Sequence, residues 1–296
     1  MSSGPAFALT GVVKRYPGFT LGPLDLTLEP GMVVGFVGPN GSGKTTTINC
    51  IAGLVVPEAG CVEVFGRRAS HHAPAWKTNL GVVGEAHGFY RGWTAEGNLH
   101  FLSRFYPGWS DQRARRLAER LTLPLDKKVC DLSKGHLAKL AIVAALGHGP
   151  RLLLLDEPTA GLDPVVRAEV LDVLWEVLED GEHAIFYSTH VLSDISRLAD
   201  ELVVLREGRV LLRSAKDELT ELWRRISFRL GDTDVAVASA VEYKRVRAEH
   251  QVLSDDGEAT LAHLRELGAQ AIEQSRMTID EIAVAILKGG NHVAPR

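Results

Sequence analysis

The chain has 296 residues, of which 45% are hydrophobic and 24% charged. That balance excludes disorder as the overall state, and the length suggests about two domains. Basic residues number 33 against 37 acidic ones, a net charge of −4 that argues against a surface built to track nucleic-acid phosphates. Cys50, Cys61 and Cys130 are odd in number and far apart, so small buried hydrophobes in a reducing compartment are expected, not a disulfide framework. The start MSSGPAFALTG lacks a signal-peptide layout. The most apolar stretch, LAKLAIVAALGHGPRLLLL, is broken by Lys139, His148, Pro150 and Arg151, so no membrane span is expected.

Residues 7–29 carry two strand patterns, FALTGVV and LGPLDLTLEP, with apolar residues near alternate positions. MVVGFVG (32–38) suits a strand buried on both faces, and TTTINCIAGL after it starts a helix. From 94 to 148, AEGNLHFLSRFY, DQRARRLAERL and HLAKLAIVAAL space their apolar residues by three and four, which predicts a helical subdomain over about 88–148. RLLLLD (151–156) and HAIFYSTH (183–190) are buried-strand patterns on either side of the helix VVRAEVLDVLWEVLED. Strand, helix, strand in that order predicts an α/β core with a largely parallel sheet over residues 1–220. Residues 221–296, with ISFRL, EYKRVRAEHQVL, ATLAHLRELG, AIEQSRM and IDEIAVAILKG, predict a small C-terminal α+β extension. Its basic clusters WRRISFR and YKRVRAEH are better explained as solvated strand faces than as contacts to lipid or a regulator.

GPNGSGKT, Gly38 to Thr45, has the phosphate-loop spacing of Gly, four residues, Gly, Lys and Ser/Thr, and it sits between a buried strand and a helix. Gly38, Gly41 and Gly43 let successive amides turn inward towards a polyphosphate, and the helix adds the positive end of its dipole. Lys44 would reach the β- and γ-phosphates and Thr45 would ligate Mg²⁺. A Gly-rich turn with an incidental lysine is the competing reading, and the strand and helix on either side weigh against it. RLLLLDEP places Asp156 and Glu157 at the carboxyl edge of the sheet, where open α/β folds bind ligands. Asp156 suits Mg²⁺, and Glu157 suits a general base that polarises water. Alone, the pair would serve equally well to begin a helix. In DLSKGHLAKLAIVAAL, Ser133 is a helix N-cap and Gly135 permits close backbone approach.

Taken in order, GPNGSGKTT, LSKGH, LLLLDEP, AGLDP and STH resemble the nucleotide-binding subunit of ABC transporters over about residues 7–215. The YPGW segment, the LSKG variant and the GLDPVVR helix resemble a bacterial branch that exports peptides and antibiotics. The resemblance implies a P-loop ABC-type ATPase core with an antiparallel β subdomain and a helical subdomain, and ATP and Mg²⁺ as cofactors. It implies that Gly38, Pro39, Asn40, Gly41, Ser42, Gly43, Lys44, Thr45 and Thr46 hold the phosphates, and that Tyr16 stacks on adenine, a core tyrosine being the alternative. It implies that Ser133 and Gly135 contact the γ-phosphate held by an opposite subunit, that the Asp163 loop crosses that dimer interface, and that His190 is the switch histidine that holds the γ-phosphate, Glu157 and Lys44 being the other catalytic residues. Metal ligands would be Thr45, Asp156 and Glu85, the last standing where the family carries glutamine. LSKGH departs from the common LSGGQ: Lys134 would add a charge facing the partner's nucleotide or point to solvent, and His136 would make the interface pH-sensitive.

The expected function is ATP hydrolysis that powers export through a separate integral membrane permease, with two ATP molecules sandwiched between two subunits. The chain would then be cytoplasmic and peripheral on the inner face of the membrane, with no nucleic-acid partner. HGFYRGWTAEGNLHFLSRFYPGW corresponds to the family's permease-docking surface, and helical-subdomain core explains its rings as well. The alternative function is a soluble ATP-driven clamp or assembly factor. A non-hydrolytic regulatory binder fits poorly with the intact Asp156, Glu157 and His190 set. His71 and His72 are adjacent and do not have zinc spacing.

Overall fold

The computed structural model describes residues 4–69, 74–84, 88–178, 181, 183–231 and 234–289. β1 (Phe7–Tyr16) and β2 (Phe19–Leu28) form a hairpin in which Tyr16 faces Phe19. The Pro17-Gly18 turn works because Gly18 takes a φ of 79°, open to glycine at no steric cost. β3 (Val33–Val37) has five consecutive buried residues and leads through the phosphate loop into α1 (Lys44–Ile51). β4 (Ala59–Val64) and β5 (Arg67–Arg68) complete an antiparallel sheet of order β2-β1-β4-β5.

β6 (Leu80–Val83) precedes a helical layer of α2 (Ala95–Ser103), α3 (Asp111–Arg120) and α4 (Lys134–Leu146). Thr94, Ser110 and Ser133 cap these three helices, each side chain accepting from a backbone N–H three residues on. β7 (Leu152–Asp156), α5 (Pro164–Leu178), β8 (Ala184–Thr189), α6 (Leu192–Leu198), β9 (Glu201–Arg206) and β10 (Arg209–Ala215) follow. The second sheet has the order β10-β9-β3-β8-β7-β6, parallel except for the β10 edge.

Successive residues of these strands enter two different apolar clusters. Val33, Val37, Leu153, Leu155, Ile185 and Tyr187 face the helical side. Val34, Phe36, Leu152, Leu154 and Phe186 face α1 and the antiparallel sheet. A strand covered on both faces is apolar at every position, which is why these runs do not alternate. Phe186 closes the second cluster by meeting Phe7 edge-on at 5.2 Å and Phe36 at 4.8 Å.

After α7 (Lys216–Leu222) comes the C-terminal part: β11 (Arg224–Arg229), β12 (Ala240–Val246), β13 (Glu249–Ser254), α8 (Gly257–Glu266), β14 (Gln270–Arg276) and α9 (Ile279–Gly289). Its sheet, β12-β13-β11-β14, is antiparallel throughout and covers a small core of Ile226, Phe228, Val252 and Leu264. α9 then turns back, and its Ile279, Ile282, Ala283 and Ile286 join the apolar cluster that holds Ile195, Leu198 and Ala199. Ser196 Oγ donates to Asp280 Oδ1 at 2.9 Å along the same seam. Of the cysteines only Cys50 is buried, which pushes its thiol up to about 11; Cys61 is half-buried and Cys130 exposed. No described helix is long and apolar enough to cross a membrane.

Candidate active site

Three neighbouring strands deliver the site. Val37 pairs with Thr189, and Asp156 with Ser188, so the phosphate loop, the Asp156-Glu157 pair and His190 leave the sheet side by side at its carboxyl edge. Gly38 packs so closely that a Cβ would collide with Leu205 O and Ser42 Oγ. Gly41 and Gly43 take φ values of 78° and 111°, and Pro39, Asn40 and Gly41 form the exposed tip. Gly43 is the N-cap of α1, and no side chain caps that end, which suits a helix that greets an anion. Ser42 Oγ is buried without a hydrogen-bond partner. An orphaned hydroxyl inside a loop of this geometry fits a polyphosphate oxygen.

Lys44 is buried, and its Nζ donates to Gly38 O at 2.8 Å. It also stands 3.4 Å from Glu157 Oε1, while Glu157 Oε2 lies 2.7 Å from His190 Nδ1 and accepts from His190 N at 3.3 Å. Cation, carboxylate and imidazole thus form one chain across the ends of β3, β7 and β8. Glu157 holds a φ of 52°, rare for a side chain of its size, fixed by its N–H donating to Ser188 O at 3.0 Å. Beside it, buried Asp156 accepts from Ser188 Oγ at 2.5 Å. Thr45 is exposed on the first turn of α1 and Thr46 half-buried. Among the described residues no three His, Cys, Asp or Glu side chains could hold a metal alone. One hydroxyl and one carboxylate beside a phosphate cradle is a donor set that fits Mg²⁺, which takes its remaining ligands from phosphate and water.

The other expected residues lie further out. Tyr16 ends β1 with 42% of its surface exposed and Lys14 Nζ 5.6 Å from its ring. Ser133 and Gly135 begin α4 on the helical layer: Ser133 Oγ accepts from His136 N at 3.2 Å, and a Cβ on Gly135 would touch Val166 of α5. Asp163 caps α5 by accepting from Val165 N and Val166 N at 3.1 Å. Lys134 is exposed and reaches the Asp163 loop of its own chain, its Nζ only 2.5 Å from where a Cβ on Gly161 would sit. His136 is held below its ordinary value by burial and by the charges of Lys139 and Lys127. Glu85, like His71 and His72, lies outside the described residues.

Sequence reasoning missed a polar cluster behind this edge, made of Thr159, Arg167, Tyr187 and Asp194. No motif in the sequence marks it; Asp194 shows itself only by being fully buried in the fold. The aromatic segment divides. Tyr90 stacks on Trp93 at 4.6 Å, and Phe101 meets both edge-on at 5.3 and 5.7 Å. Tyr90, Trp93 and Phe105 are exposed, while Trp109 packs against the helical-layer core.

Residues 21–160 match the family described as ABC transporter. The bacitracin transport ATP-binding protein BcrA of Bacillus licheniformis is 32% identical over 83% of this chain and 81% of its own length. The daunorubicin/doxorubicin resistance ATP-binding protein DrrA of Streptomyces peucetius is 34% identical over 74% of this chain and 70% of its own length. The solved structure of an ATP binding subunit of an ABC transporter superposes with a TM-score of 0.66 at 28% identity, covering 73% of this chain and 92% of that one.

Proposed function

The chain belongs to the ABC transporter family as an ATP-hydrolysing subunit of its export branch, and from that premise we propose that two such subunits close head to tail over two ATP molecules and drive cargo through a separate membrane permease. The observation that carries the reading is the chain from Lys44 through Glu157 to His190 at the ends of three adjacent strands. In this reading residues 1–220 are the nucleotide-binding domain, with residues 88–148 its helical subdomain and 221–296 an extension.

Each ATP is cradled by the loop from Gly38 to Thr46, with Lys44 neutralising phosphate charge and Tyr16 offering its exposed ring to the base. Thr45 and Asp156, with Glu85 as a third candidate, would hold Mg²⁺, which would supply neutralisation of the phosphate charge. Glu157 orients and deprotonates the attacking water, and His190 fixes the γ-phosphate from the neighbouring strand. Ser133 and Gly135 of the opposing subunit close the site, and Asp163 lies across the interface. Catalysis is then mostly positioning and charge stabilisation. The exposed Tyr90, Trp93 and Phe105 suit the permease contact, since aromatic rings anchor interfaces, and that contact holds the chain peripheral on the cytoplasmic face of the membrane.

Glu157→Gln tests this reading. The substitution should lower ATP turnover by about 100-fold or more and leave an ATP-bound dimer visible by light scattering. Turnover close to that of the unaltered protein, or a monomer at saturating ATP, refutes the assignment.

A further inference from the structure

Asp194 lies in α6, four residues after His190, and its side chain is fully buried. A carboxylate in that position needs donors, and it has three. Oδ2 accepts from Thr159 Oγ1 at 2.6 Å and from Tyr187 Oη at 2.8 Å. Oδ1 accepts from Arg167 Nε at 2.6 Å, and Arg167 also donates to Ser193 Oγ. Thr159 and Tyr187 hydroxyls stand 3.1 Å apart, closing the set. Burial, followed by the Asp194 charge, pushes the Tyr187 phenol well above its ordinary value, so it remains a donor.

The chain positions of these donors matter more than their number. Thr159 is two residues after Glu157 and four before Asp163. Arg167 is one helical turn after Asp163, and its N–H donates to Asp163 O at 3.0 Å. Tyr187 precedes Ser188, which holds Asp156, and lies three residues before His190. One carboxylate therefore ties together the loop after β7, the start of α5, the end of β8 and the start of α6. A buried charge cannot lose a donor without being left short of solvation, so these four segments are held to one relative arrangement.

We infer that Asp194 is a positioning residue for hydrolysis: through Thr159, Tyr187 and Arg167 it fixes His190 and Glu157 relative to each other and couples both to the Asp163 loop. Asp194 is sealed from solvent and is not itself a reacting group. It acts by holding the carboxylate and imidazole in register with each other, 2.7 Å apart at the sheet edge, where they face the site of the attacking water. The inference rests on the roles assigned above to Glu157, Asp163 and His190.

The test uses the full-length chain with near-isosteric changes that leave the fold intact, Tyr187→Phe and Thr159→Val, together with Asp194→Asn, Arg167→Gln and Arg167→Lys. Steady-state ATP turnover is divided into kcat and KM, and folded fraction is read from thermal melts. Tyr187→Phe and Thr159→Val should each lower kcat about 3- to 10-fold with the KM for ATP within about twofold, because no phosphate contact is touched. Asp194→Asn should lower kcat further. Its combination with Arg167→Gln should be less damaging than the product of the two single effects, and Arg167→Lys should retain more turnover than Arg167→Gln. Unchanged kcat per folded molecule in Tyr187→Phe and Thr159→Val, or losses confined to KM, overturns the inference. Glu157→Gln run in parallel separates the two ideas. If it turns over normally, the site reading has failed; if it is inactive while the network variants are normal, only the positioning role has failed.

Discussion

Several charged groups around the six-stranded sheet are buried and partnered, whereas the Arg229–Glu249 pair of the C-terminal sheet stands in water. Lys44, Asp156, Lys139 and Asp194 are all at least nine-tenths buried. Each has a partner: Glu157 for Lys44, Ser188 for Asp156, Glu169 at 2.6 Å for Lys139, and three donors for Asp194. In the C-terminal part Arg229 meets Glu249 at 3.0 Å with both side chains about two-thirds exposed, and Arg245 meets a largely exposed Asp234. Water already solvates the second set, so those pairs tidy a surface. The first set is buried at a price in desolvation that stability alone would not justify; Lys44 and Asp156 lie at the edge where phosphate charge must be met, with Asp194 behind it, while Lys139 pairs within the helical layer.

Three outcomes would break or sharpen that contrast. The largest concerns apolar packing, which both halves share. Phe228 is buried in a core of only four fully buried residues. Phe228→Ala should remove about 3–4 kcal/mol from the C-terminal sheet, read by denaturant melts, with ATP turnover per folded molecule within about twofold. A collapse of turnover in the folded fraction would mean the two halves are not separable in function.

The next concerns a buried titratable group whose hydrogen bonding is incomplete. His148 stacks on Tyr106 at 4.1 Å, Nε2–H donates to Leu80 O at 3.2 Å, and Nδ1 has no partner. Burial, and then the Arg113 charge, push the imidazole down to about 4. Between its unfolded value near ~6.5 and that folded value, the unfolded chain takes up a proton that the folded one refuses. Stability should therefore fall as pH drops from about 6.5 towards 4, by on the order of 3 kcal/mol, and should be insensitive to this group above pH ~7. His148→Gln should flatten that part of the curve, and an unchanged slope would locate the proton uptake elsewhere. The smallest effect belongs to the surface: Arg229→Gln should shift stability by less than about 0.5 kcal/mol, and less still in high salt.

What could be read from the sequence follows the same division. MVVGFVG, RLLLLD and HAIFYSTH announce their strands because both faces are covered, and the phosphate loop is specified by glycines at fixed spacing. Ala59–Val64 and Glu201–Arg206 do not announce themselves as strands, since short runs interrupted by charge carry little periodic signal. In the C-terminal part the segments singled out in the sequence fall on β11, β12 with β13, α8, β14 and α9, but an apolar helix face does not say what will cover it, and nothing in the sequence pairs α9 with α6. The Asp194 set is spread from Thr159 to Asp194 with no motif, so it becomes visible only once α5, β8 and α6 are brought together.

The return of α9 has a practical meaning for anyone dividing this gene into pieces. Its isoleucines lie against Ile195, Leu198 and Ala199, and Arg206 donates from Nη1 to Leu287 O at 3.0 Å. A product ended at residue 222 would bare that greasy seam a few residues from His190. An ATPase fragment that keeps this seam covered therefore has to carry α9 with it, together with the sheet whose Val241, Leu253 and Arg225 hold α9 from its other side.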